Sequence, residues 1–115
     1  MEFEDIIEKI IGCAYKVYNT MGYGFLESVY EKCLLIELRK AGLKSEYQRP
    51  IIVNYEGEFV GNFIADIFVE ESIILELKSV KNIAKAHEVQ LVNYLVALIN
   101  FGEDKVEIKR KVRVL

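Results

Sequence analysis

The chain reads as an α+β (mixed α/β) protein in the order α-α-β-β-β-α-β, with helices packed on a small mixed sheet. Three observations predict this. Apolar residues recur at helical spacing through the N-terminal third, β-rich runs separated by Gly and Glu turns fill the middle, and helical period returns before a last alternating run.

Ile6, Ile7, Ile10, Ile11, Ala14, Val17 and Tyr18 fall on one side of a helix over residues 4–19. Gly22-Tyr23-Gly24 breaks it. Leu26, Tyr30, Cys33, Leu34, Leu38 and Ala41 mark a second helix over about 25–41, with Gly42 where a C′ cap belongs. Glu27 lies in its first turn, where the helix dipole favours a carboxylate, so the position has a structural explanation of its own. Pro50, the only proline, opens a strand at Ile51–Tyr55 that turns at Glu56-Gly57-Glu58 into Phe59-Val60. Gly61–Val69 and Ile73–Lys78 then flank Glu70-Glu71-Ser72 and read as a hairpin, completing an antiparallel meander. Residues 83–97 return to helical period, with His87, Gln90, Leu91 and Tyr94 on one side. Finally Val106, Ile108, Val112 and Val114 alternate with Glu107, Lys109, Lys111 and Arg113, the pattern of a half-buried strand.

A length of 115 residues predicts one domain, 1–115, and 52% apolar residues exclude a disordered chain. No apolar run reaches the roughly 18–20 residues of a membrane span, and the acidic start lacks a signal peptide's basic region. The expected location is cytoplasmic, with no membrane partner. Cys13 and Cys33 form no C-x-x-C pair and read as reduced core thiols. The net charge of −3 argues against a generally basic nucleic-acid binder. It is unevenly spread, however: Lys105, Lys109, Arg110, Lys111 and Arg113 against Glu107 make a local +4 at the C-terminal edge. That edge suits phosphate contact, or equally an edge strand guarded by its charges.

The hairpin carries the chemistry. With its turn centred on Glu71, Val69 opposes Ile73 and Asp66 opposes Glu76, and opposed residues share a face with Cβ atoms about 4.5–5.5 Å apart. Lys78, two residues beyond Glu76, projects the same way. This requires an odd loop or a bulge, since a two-residue loop would place the carboxylates on opposite faces. Carboxylates this close in an apolar sheet are relieved by a shared proton or a bound cation, and hard oxygen donors suit Mg²⁺ or Mn²⁺. The alternative is a solvated, salt-bridged strand face. Against it stand Ile73, Ile74, Leu75 and Leu77, because near-continuous apolar runs mark strands buried on both faces.

Gly24-Phe25-Leu26-Glu27-Ser28-Val29-Tyr30 matches the signature of the GxxExxY proteins, and the similarity continues through Asp66, Glu76-Leu77-Lys78, Gln90-Leu91-Val92-Asn93-Tyr94 and Asn100-Phe101-Gly102. The chain therefore resembles a compact branch of the PD-(D/E)XK nuclease superfamily. The resemblance implies a restriction-endonuclease-like αβββαβ core with Glu27, Asp66 and Glu76 around a divalent metal and Lys78 as the catalytic lysine. Gln90 and Tyr94 match a Gln-x-x-x-Tyr beside the site in exonuclease-like members, with an ordinary helix face as the alternative. His87 would be a further contact to substrate phosphate, or simply a surface residue.

Two departures accompany the match. Tyr18 stands where the family commonly has a histidine. The family also has a turn and an apolar strand before Asn-Phe-Gly, whereas Tyr94-Leu95-Val96-Ala97-Leu98-Ile99 holds no turn residue. The bottom-up reading is that the helix continues to about Asn100 and stops at Gly102. The alternatives are a missing loop, or a last strand exchanged onto a neighbouring subunit.

The expected function is divalent-metal-dependent phosphodiester hydrolysis, on DNA more than RNA, with a homodimer compatible with duplex cleavage. The competing readings are a non-catalytic nucleic-acid- or protein-binding module on the same fold, and hydrolysis of a small phosphate ester.

Overall fold

The computed structural model describes residues 2–81 and 95–112. Two helices, α1 (Phe3–Met21) and α2 (Glu27–Lys40), precede strands β1 (Ser45–Tyr55), β2 (Glu58–Val69), β3 (Ile73–Lys78), β4 (Leu95–Phe101) and β5 (Val106–Val112). The strands form one sheet in the order β1-β2-β3-β4-β5. All neighbours are antiparallel except β3 and β4, so the sheet is mixed, as expected.

The helices form where apolar spacing places them, and α2 ends on a glycine cap. After α2, Gly42 at φ 80° lets its N–H reach the Arg39 carbonyl and the Leu43 N–H reach the Leu38 carbonyl, each at 3.0 Å. This is a Schellman motif, with Leu43 and Leu38 buried in the core as its apolar contact. That core combines Ile6, Ile10 and Val17 of α1 with Tyr30, Leu34 and Leu38 of α2 and the helix-facing residues of β2 to β5. A smaller cluster of Ile51, Ala65, Phe68, Ile74 and Val96 covers the opposite face.

The β2–β3 hairpin takes the register read from its sequence: Val69↔Ile73, Phe68↔Ile74 and Ile67↔Leu75. Its loop is the odd one required, Glu70-Glu71-Ser72, with Glu70 at φ 52° and Glu71 at φ 56°. Arg49 and Lys44 pair with Glu71, and Glu70 Oε2 accepts the Lys44 N–H at 2.6 Å, which ties this left-handed turn to β1.

Two expectations are corrected. Strand β1 begins at Ser45, so Pro50 lies inside it rather than at its start; β1 is an edge strand, where a missing N–H is tolerated. More consequentially, Leu95–Phe101 is a strand and not the continuation of a helix to Asn100. It pairs parallel to β3 from Ile73↔Leu95 to Lys78↔Asn100 and is covered on both faces, the setting for a continuous apolar run. The rest of the predicted helix, and with it His87, Gln90 and Tyr94, lies outside the described residues.

Candidate active site

Asp66, Glu76 and Lys78 occupy the place where β2 and β3 part. Their backbone ladder ends at Ile67↔Leu75, and beyond it the Asp66 carboxylate substitutes for a strand carbonyl: Oδ2 accepts the Leu77 N–H at 2.9 Å. Strand β2 turns at this residue. Ile67 packs with the helix-side core and Ala65 with the opposite cluster, which breaks the strand's alternation at the aspartate between them. Across the ladder, pairing passes from Tyr47↔Ile67 to Arg49↔Ala65, and Gln48, skipped between them, has φ 51°. Such a conformation costs on the order of 1 kcal/mol for a residue with a side chain and is held by its surroundings.

Strand β3 keeps its alternation. Ile73, Leu75 and Leu77 enter the helix-side core while Ile74 enters the opposite cluster, so Glu76 and Lys78 follow Ile74 onto that second face. Glu76 Oε1 is buried without a hydrogen-bond partner. Burial, then the neighbouring Asp66 carboxylate, pushes the Glu76 carboxyl up to about 8, against smaller lowering effects from an Asp66 backbone hydrogen bond and Lys78. A carboxylate in this setting holds a proton at neutral pH unless a cation replaces it.

Helix α2 adds a carboxylate that the sequence reading passed over. Glu31 is only 6% exposed, and burial followed by the charges of Asp66 and Glu27 raises its carboxyl to about 6. The signal was its place in Glu27, Glu31, Leu34 and Leu38, spaced along one helix face. Glu27 itself is exposed in the first turn of α2. Among the described residues, no three carboxylate, histidine or cysteine side chains converge closely enough to hold one ion. The trio of Glu27, Asp66 and Glu76 is therefore not assembled as such; Asp66 and Glu76 are the pair brought together.

Gly24, Tyr30 and Tyr18 have structural roles. Gly24 has φ 115°, open to glycine and strained for other residues. The Tyr30 hydroxyl donates to the Gly22 carbonyl and accepts the Phe25 N–H at 3.4 Å, closing the loop before α2. The Phe25 carbonyl in turn accepts the Ser79 hydroxyl at 2.9 Å, which brings this loop against the chain just past Lys78. Tyr18 donates its hydroxyl to the Gly102 carbonyl at 2.6 Å.

A split antiparallel hairpin bearing Asp, then Glu-x-Lys, beside a parallel strand and a helix with a buried glutamate describes a class of nucleases built on paired carboxylates. The family model for the PD-(D/E)XK nuclease superfamily matches residues 4–111, and the chain belongs to that superfamily. No curated protein and no solved structure matches it significantly. No helix among the described residues is long and apolar enough to cross a membrane.

Proposed function

We propose that the chain is a divalent-metal-dependent nuclease of the GxxExxY type, formed by one domain over residues 1–115 and acting on DNA in preference to RNA. The observation that carries this reading is Glu76 Oε1, an orphaned buried carboxylate oxygen beside Asp66. Its chemistry fits a hard cation: Asp66 and Glu76 would hold Mg²⁺ or Mn²⁺, with water completing the coordination. When bound, such an ion polarises the scissile phosphate and lowers the pKa of a water ligand.

The protein's own residues do the rest. Asp66 is anchored by the Leu77 N–H, which keeps its carboxylate beside Glu76. Lys78, on the same face of β3 as Glu76, supplies an ammonium that stabilises charge building on the phosphate. The family resemblance assigns Glu27 as a further helix carboxylate and Gln90, Tyr94 and His87 to the substrate side. A cytoplasmic setting and a homodimer accord with this reading.

A second reading, a binding module on a nuclease fold, is favoured by one observation: exposed Lys109 and Arg110 on the edge strand β5. Substitution decides between them. Asp66→Ala and Lys78→Ala should each abolish cleavage of DNA while leaving the melting transition cooperative. Salt-sensitive DNA binding that survives both changes, without cleavage by the wild type, would favour the binding module.

A further inference from the structure

We infer that Asn100 is a positioning residue for Lys78, holding the chain beyond it by a carboxamide that replaces strand pairing. The inference rests on the nuclease reading for its consequence and on geometry for its substance.

Lys78 is the last residue of β3, and its parallel partner on β4 is Asn100. Past this point the side chain of Asn100 takes over the pairing. Its Oδ1 accepts the Val80 N–H at 2.9 Å, and its Nδ2 donates to the Val80 carbonyl at 2.9 Å. The other Nδ2 hydrogen goes to Glu107 Oε1 of β5 at 3.0 Å, which fixes which way round the amide lies. Asn100 is wholly buried. A buried carboxamide with both donors and its acceptor engaged is rigid, and truncating it strands two backbone groups of Val80.

Lys78 is thus bracketed. The Leu77 N–H on one side is held by the Asp66 carboxylate, and Val80 on the other by Asn100. The Ser79 hydroxyl on Phe25 and the Lys81–Glu103 ion pair fasten the same short stretch at further points. Gly102 belongs to this arrangement, because a Cβ there would lie 3.1 Å from Asn100 Nδ2 and 3.2 Å from the Lys81 carbonyl. Reaction rates depend steeply on placing a charged group to within about 1 Å, so a lysine at a strand end needs such fastening.

The test compares wild type, Asn100→Ala and Glu107→Ala by NMR and by single-turnover cleavage. Glu107→Ala removes the bond that orients the amide and serves if Asn100→Ala does not fold. Expected for Asn100→Ala is Val80 amide exchange at least about tenfold faster, and two Lys78 Hε resonances, distinct in the wild type, merging into one. Cleavage should slow about tenfold or more at saturating substrate, with KM changed less than about threefold. Glu107→Ala should move each readout in the same direction by less. Unchanged Lys78 resonances in a folded variant overturn the inference whether or not the protein cleaves DNA. Resonances distinct in the wild type and merged in Asn100→Ala, in a protein whose wild type never cleaves, uphold the positioning role and remove the nuclease reading alone.

Discussion

Tyr30 lies flat against Phe101, with ring centroids 4.4 Å apart and planes within 5° of parallel, so the last residue of the GxxExxY signature stacks on the middle residue of Asn-Phe-Gly. Two motifs far apart in the chain meet inside the core. Tyr30→Phe keeps the stack and loses the hydroxyl's bonds to the Gly22 carbonyl and Phe25 N–H, which should cost about 1–2 kcal/mol. Tyr30→Ala should cost about 3–5 kcal/mol. Denaturant midpoints measure both, and equal losses would show that the hydroxyl, not the ring, carries the contribution.

Stability of the metal-free protein should fall as pH rises from about 5 to about 8. Glu76 has a folded pKa raised to about 8 from an ordinary 4.5, so above 4.5 the native state keeps a proton that the unfolded state has released. The contribution of that proton is full below 4.5 and is lost as pH passes through 8. Glu76→Gln should flatten the slope, which amounts to about 1–3 kcal/mol after allowance for partial solvent access. Melting temperature against pH, in chelator, provides the check; a wild-type profile that rises across this window contradicts the assignment.

Glu31→Gln should raise the melting temperature of the metal-free protein at pH 8, because a buried carboxylate facing Asp66 becomes neutral. Glu27→Gln, on the exposed first turn of α2, should lower it slightly, by the few tenths of a kcal/mol due to the helix dipole. Calorimetry of the two variants side by side distinguishes these carboxylates, and identical effects would mean that Glu31 does not feel the hairpin.

Gly102→Ala should destabilise by about 2–4 kcal/mol, an overpacking effect without relief. The new Cβ would come within 2.9 Å of the Lys105 carbonyl, which is backbone and cannot swing aside. A chemical melt of the variant tests this, and a change below about 0.5 kcal/mol would show that the turn adapts.

Much of this architecture was legible from residue spacing. The α1 and α2 faces, the Gly42 cap and the hairpin register all follow from local chemistry, because periodicity and turn residues act over a few neighbours. Leu95–Phe101 is ambiguous for the opposite reason: a short continuous apolar run fits a buried helix or a central strand, and only its pairing with β3 decides. Asp66, Glu76 and Lys78 could be counted onto one hairpin. Glu31 could not be assigned, since its burial depends on how α2 meets the sheet. Asn100 stood in a recognisable motif, but its grip on Val80 depends on contacts across the sheet.

The proposal that Asp66 and Glu76 hold a cation used in phosphodiester cleavage is open to direct measurement. Its most direct test titrates Mn²⁺ into purified wild type and Asp66→Ala, following metal binding by paramagnetic resonance and cleavage of single- and double-stranded DNA in the same samples. Saturable binding and cleavage in the wild type, both lost in a folded Asp66→Ala, is the predicted result. A well-folded wild type with no saturable Mn²⁺ binding would contradict it.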